Sequence, residues 1–189
     1  MPAFDLRGIK VAEYKVTNNT PGYETAQTAG DAMNVNLELR HAEGRLYAES
    51  SLAEYLKKAT GGSISIGVKY LPNAVQKLLF GYTDKPRTVG QATVNGLMMN
   101  KTAVAKYAGV AFYAPDMIDG VEKYTCVHVK RALFGPPSYV YQALGESITF
   151  QTPTTSGEFL PDAAGDLLET AICDDETTAI AWCGAVFGA

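Results

Sequence analysis

Two histidines and three cysteines are the side chains here best suited to nucleophilic or metal chemistry. A His-assisted nucleophile would need His41 or His128 beside a Ser or Cys, and no stretch resembles GxSxG or a catalytic-cysteine signature. His128 lies inside the strand-like run YTCVHVKRALF, which predicts a hydrogen-bonded or exposed strand residue and not a ligand. Cys126, Cys173 and Cys183 form no CxxC and lie too far apart in sequence to read as a metal cluster. They are expected to be reduced, small apolar core residues. Asp116 and Asp119 flank the turn APDMIDG, where short acidic side chains bond their own backbone. Asp174-Asp175-Glu176 could approach a cation, but negative charge at a helix N-terminus accounts for the run with fewer assumptions. Gly61-Gly62 precedes a strand, whereas phosphate-cradling glycines precede a helix. The expectation is therefore no enzyme, with no catalytic, cofactor or metal site.

The elements that would carry such residues are mostly strands. Residues 61–81 hold the clearest local signal. Ile64, Ile66, Val68 and Tyr70 alternate with Ser63, Ser65 and Lys69, the period of a half-buried strand. Leu71-Pro72 then leads into a short helix, with Asn73 and Gln76 spaced as a capping box. Val75, Leu78 and Leu79 form its apolar stripe, and Gly81 stands at its C′ position. Met33, Val35, Leu37 and Leu39 alternate with Asn34, Asn36, Glu38 and Arg40, which predicts a second strand with one wet face. YAGVAFYA at 107–114 is apolar on both faces and suits a strand covered on both sides. Residues 123–134, 146–152 and 165–173 continue the β pattern, and a C-terminal helix spans 176–187, with Trp182, Val186 and Phe187 apolar. The fold class expected is mainly β: a β-sandwich or barrel with one short internal helix and a C-terminal helix. The intervening segments 17–30, 41–62 and 84–106 are long for a compact domain, and such segments usually carry function or contacts. Leu46, Tyr47, Leu52, Tyr55 and Leu56 make 41–62 too apolar for a solvated loop. It is either a hairpin or short helix packed on its own domain, or an arm that buries those residues on another subunit.

Composition narrows the class. At 189 residues, a single domain over 1–189 with a substantial core is expected. No apolar run approaches the roughly 20 residues that cross a bilayer. MPAFDLRGIK lacks the apolar core of a secretory signal, which predicts no Sec-type export. The net charge of −4 argues against a nucleic-acid coating protein. All 16 Lys and Arg residues lie at or before Arg131, whereas 132–189 carry eight acids and no base. This asymmetry is either a solvated acidic end or a surface, with Asp162, Asp166 and Glu169, that meets the basic part of a neighbouring copy.

In order along the chain come an N-terminal strand at Leu6 to Tyr14, a Gly22-Tyr23-Glu24 turn, Leu46-Tyr47-Ala48-Glu49, the glycine pair, and the strand-LP-helix unit. The aromatic strand from Tyr107 to Tyr113, the run Phe150-Gln151-Thr152-Pro153-Thr154 and the Trp182 helix follow. This series resembles the major tail proteins of long-tailed, siphovirus-like bacteriophages over nearly the whole chain. Only 84–106 departs, as a variable loop. The resemblance implies a structural virion protein assembled in the host cytoplasm, with six copies closing a ring and rings stacking into the hollow tube that conducts the genome. It implies that 41–62 reaches the adjacent ring. It also implies partners: a tape-measure protein inside the tube, terminator and distal tail proteins at its ends, and passing double-stranded DNA. A wall that lets DNA slide should be neutral or acidic and hydrogen-bonding. Asn34, Asn36, Glu38, Ser63, Ser65, Thr149 and Gln151 are candidates, or else plain solvent-facing positions; Arg40 and Lys69 would sit at rims or pair with acids. A tube subunit of a contractile tail or secretion system, or a β-sandwich carbohydrate-binding or adhesion module, remain alternatives.

Overall fold

Ile64, Ile66 and Val68 are all at most 2% exposed, so their shared side decides which face of the longest strand looks inward. The computed structural model describes residues 4–48, 51–143 and 152–188. Among the described residues, nine antiparallel strands form one sheet: β1 (Arg7–Thr17), β2 (Thr20–Tyr23), β3 (Gln27–Thr28), β4 (Ala32–Ala48), β5 (Ser51–Val68), β8 (Tyr107–Ile118), β9 (Val121–Phe134), β10 (Thr154–Phe159) and β11 (Leu168–Cys173). Its order is β2-β1-β8-β9-β10-β5-β4, with β3 added to β1 and β11 to β9. β6 (Thr83–Val89) and β7 (Ala92–Met98) make a separate two-stranded ribbon. The chain is thus mainly β and of β-sandwich type, with a short internal helix and a C-terminal helix.

One core cluster joins Ile9 and Val11 of β1, Ile64, Ile66 and Val68 of β5, Val110, Val129, Phe134 and Phe159. The inner faces of distant strands therefore meet, and α1 (Asn73–Phe80) inserts Val75 and Leu79 among them. Each such side chain contributes about 1.5–3 kcal/mol by leaving water. Phe159 fits because Gly62 has no side chain: a Cβ there would stand 2.1 Å from the Glu38 carbonyl oxygen and 2.3 Å from the Phe159 ring. On the opposite face, Ala12, Ala111, Cys126 and Cys173 lie beneath Ala179 and Cys183 of α2 (Glu176–Ala185) and beneath Phe187. Residues 108–113 are accordingly buried on both sides, as their sequence predicts. No helix among the described residues is long and apolar enough to cross a membrane.

Local signals fared unevenly. Gly81 caps α1 at φ 68°, and its N–H donates to the Lys77 carbonyl at 3.1 Å. The Asn73 capping box does not form: Pro72 is the N-cap without a side-chain bond, and Gln76 Nε2 donates to the Leu71 carbonyl at 2.9 Å instead. Tyr70 leaves the core face and is exposed, because β5 ends at Val68 before the proline turn. The first turn falls at Asn18-Asn19, both with positive φ as a two-residue type I′ hairpin turn requires, and Gly22-Tyr23 belong to β2. Residues 84–106 are not a loop but mostly the β6–β7 ribbon, turned at Gly90-Gln91. The predicted strand 146–152 lies largely outside the described residues, and the strand seen nearby is β10.

Candidate assembly interface

The inward commitment of Ile64 and Ile66 turns every alternate residue of β5 outward, and register extends this choice to both neighbours. Asn36, Ser65 and Ser156 form one cross-strand row; Glu38, Ser63 and Glu158 form the next; Asn34, Gly67 and Thr154 form a third. Gly67 leaves room for the Asn34 amide, whose Oδ1 would stand 2.4 Å from a Cβ there. Asn36 Nδ2 donates to Glu38 Oε1 at 3.4 Å. Arg40 reaches across β5 at Gly61, and its Nη2 donates to Glu158 Oε1 at 2.6 Å, holding that carboxyl below the usual carboxylate range. Lys69 pairs with Asp31 at 3.3 Å beyond the strand end. Five of the residues expected to share a wet face thus share one, and both basic exceptions are paired with acids. Thr149 and Gln151 lie outside the described residues. Thr154, Ser156 and Glu158 complete the face and were missed. Their alternation in TTSGEF was the available signal, obscured because the last strand before them was placed at 146–152.

β4 ends the strand order, so its outer edge has no strand partner among the described residues. An edge strand of 17 residues offers a row of unpaired backbone donors and acceptors to another chain. Past Arg40, β4 and β5 leave the body as a ribbon. The eight steps from Arg40 to Ala48 carry it about 26 Å at about 3.3 Å per residue. Residues 41–62 are therefore the outer part of this hairpin, with Gly61 and Gly62 inside β5 and not before it. On one side of the ribbon, Glu43 meets Arg45 at 3.4 Å and Lys57 at 3.5 Å, and the Arg45 guanidinium lies 5.5 Å from the Tyr55 ring centre. Tyr55 first, then Lys57 and Arg45, hold the Glu43 carboxyl below its ordinary range. The other side carries Ala42, Gly44, Leu46 and Leu56 by register, with Glu54 and Lys58. Leu46 is 59%, Tyr47 61%, Tyr55 49% and Leu56 58% exposed. The side chain of Leu52 lies outside the described residues. A free two-stranded ribbon is marginal in water, so these apolar residues gain most from a partner surface.

The acidic end is largely engaged within the chain. Arg40–Glu158, Lys123–Asp174 at 2.8 Å, Arg7–Glu176 at 2.8 Å and Lys130–Glu169 tie it to the basic part. Asp162 Oδ1 accepts the N–H groups of Ala164 and Asp166, shaping the loop before β11, and Asp175 caps α2 through the Thr178 N–H at 2.8 Å. Of Asp162, Asp166 and Glu169, only Asp166 has a carboxylate without a partner among the described residues.

His128 and the three cysteines are buried, whereas His41 is exposed on the ribbon. His128 is fully buried, and neither ring nitrogen has a hydrogen-bond partner among the described residues, contrary to the satisfied or exposed residue expected. Its ring packs edge-on against Tyr23 and Phe187, with centroids 5.3 and 5.0 Å away. Burial, then Lys130, lowers its pKa to about 4. The cysteines, distant in sequence, converge: Cys126 Sγ lies 3.7 Å from Cys173 Sγ, with Cys183 in the same cluster. Burial pushes the Cys126 thiol up strongly and Cys183 to about 11, so both stay protonated and unreactive. Compared with models of known protein families and with curated proteins, the chain matches none.

Proposed function

We propose that this chain is a tube-forming subunit of the siphovirus-like tail type, and that its activity is self-assembly. The observation that carries the reading is β4, which joins in one strand a polar sheet face, an edge with no strand partner among the described residues, and an apolar ribbon. The β4–β5–β10 face turns to the channel, the β4 edge pairs with the next copy in a ring, and the 41–60 ribbon contacts the next ring. Six copies per ring follow from the sequence resemblance, as do the tape-measure, terminator and distal tail partners and a place in the virion. The channel face offers amides, hydroxyls, two carboxylates and one guanidinium paired with a carboxylate. Such a face has little to hold a phosphate backbone, because DNA affinity comes chiefly from Lys and Arg neutralising phosphates.

The test replaces residues 43–57 by Asn-Gly, closing the hairpin at the Ala42–Lys58 pair. The variant should keep its fold by circular dichroism and sediment as a small species where the parent sediments as polymer. Polymers from the variant equal to the parent's would remove the ribbon from the assembly. A second reading, a carbohydrate-binding module, is favoured by one observation: Tyr139 and Tyr141 stack at 6.1 Å and 17°, and Tyr141 is 86% exposed. Glycan binding lost on Tyr141→Ala, by a chain that stays monomeric, would select that reading.

A further inference from the structure

The β6–β7 ribbon has no role in the tube as drawn above. It is an excursion with a closed base: a Cβ on Gly81 would stand 2.4 Å from the Val104 carbonyl oxygen, so the chain leaves and rejoins the body at one point. Residues 83–95 are exposed throughout. Register sets Lys85 opposite Gly96 and Arg87 opposite Val94, on one face with Val89. No acid faces either cation across the ribbon. Asp84, the ribbon's one carboxylate, points to the other face and is held by Lys77 at 2.9 Å. Neither Lys85 nor Arg87 has an ion-pair partner among the described residues, although these residues form eleven such pairs, Lys77–Asp84 included.

The complementary surface is the tip of the β8–β9 hairpin. Asp119 and Gly120 turn it with φ of 52° and 79°, and Asp119 is exposed there. Glu122 is exposed beside it, and Met117 and Val121 are 40% and 57% exposed. Glu122 accepts the Tyr124 hydroxyl at 3.1 Å, but neither carboxylate has a cationic partner among the described residues. The nearest base in the strand, Lys123, is taken by Asp174 at 2.8 Å. Two unpaired cations with valine beside them, and two unpaired anions with Met117 on the Glu122 face, are matched in charge and in apolar rim. Inside one chain they form no ion pair.

We propose that the Lys85–Arg87 face of the β6–β7 ribbon docks on the Asp119–Glu122 tip of a second copy of this chain. Two different surfaces meet, so the contact propagates into a ring or filament and does not close on itself in a pair. The proposal rests on the self-assembly proposed above, although the contact can be read in a dimer alone. The charges set orientation and encounter more than total affinity.

Two double variants, Lys85→Glu with Arg87→Glu and Asp119→Lys with Glu122→Lys, and the quadruple variant combining them test it. Each double variant should raise the protein concentration needed for assembly about tenfold. The quadruple variant should return it to within about threefold of the parent, because opposite charges again face one another. All substituted side chains are exposed, so thermal unfolding should stay close to the parent's, slightly lower where Lys replaces Asp119 at positive φ and Glu122 loses the Tyr124 hydroxyl. In parallel, a zero-length carbodiimide should join Lys85 to Asp119 or Glu122 across two copies of the parent. Assembly by the double variants at the parental concentration, or a quadruple variant no better than either, overturns the docking and leaves the tube reading intact. Cross-linked rings or filaments that never build a hollow tube uphold the docking and sink the tube. A cross-link absent from assembled parent, or double variants that instead lose only nucleic-acid binding, also refutes the docking.

Discussion

His128→Leu separates burial of an unpaired imidazole from everything else that titrates in acid. In the native chain, burial and Lys130 lower the imidazole to about 4, while Glu169 and Asp162 act weakly the other way. In the unfolded chain it titrates near 6.5. Above that pH both states are neutral at this residue and its protonation does not affect stability. As pH falls from 6.5 toward 4, the unfolded chain binds a proton that the native chain refuses, so stability drops by up to about 1.4 kcal/mol per pH unit. The full loss is about 3 kcal/mol, reached as pH passes through 4. At pH 7.5 leucine forgoes two edge-on ring contacts of about 0.5–1.5 kcal/mol each but relieves two unpaired buried nitrogens, worth about 1–3 kcal/mol. Parent and variant should therefore be nearly equal there and diverge steadily below 6.5, with leucine the more stable. Urea unfolding followed by Trp182 fluorescence, at concentrations below assembly, gives the difference at each pH. Acid-sensitive carboxylates such as Glu43, Glu158 and Glu176 are common to both proteins and cancel. Parallel stability curves between pH 6.5 and 4.5 would refute the buried, unpaired imidazole.

Gly62→Ala should cost at least about 2 kcal/mol, because the Glu38 carbonyl 2.1 Å from the new methyl is backbone and cannot turn aside. Gly44→Ala, with nothing within 4 Å, should be neutral or slightly stabilising, and thermal unfolding reports both. Asn36→Lys with Ser65→Lys, adjacent in one cross-strand row, should leave tubes intact but slow DNA ejection from tails carrying them, in a manner relieved by salt. Normal ejection from such tails would place that face away from the channel, and a failure to build tubes would place it in a subunit contact.

Period-two alternation made the strands legible wherever one face is buried. Ile64, Ile66 and Val68 announced both the inner face of β5 and, by parity, the outward Ser63 and Ser65. The same rule cannot see the β6–β7 ribbon, because a strand exposed on both faces has no reason to alternate. The 41–62 arm is legible in its length, its excess of leucine and tyrosine and its place in the family resemblance, but nothing local sets its direction. Gly81 was readable as a cap since the left-handed turn is a local requirement, whereas Asn73 lost its place to a proline that already fixed the helix start. Clustering of the cysteines and the sealing of His128 by Phe187 depend on β9, β11 and α2 meeting across tens of residues. Charge segregation hinted at contacts between copies, yet the fold spends most of it internally, because the acidic end folds back onto Arg7, Arg40, Lys123 and Lys130.

Electron microscopy of the purified chain at increasing concentration addresses the central claim directly. The account predicts hollow tubes of one diameter, with an axial repeat from stacked rings and the β4–β5–β10 face around the bore in the averaged density. A chain that stays monomeric at every concentration, or a polymer with that face outward and no bore, would contradict it.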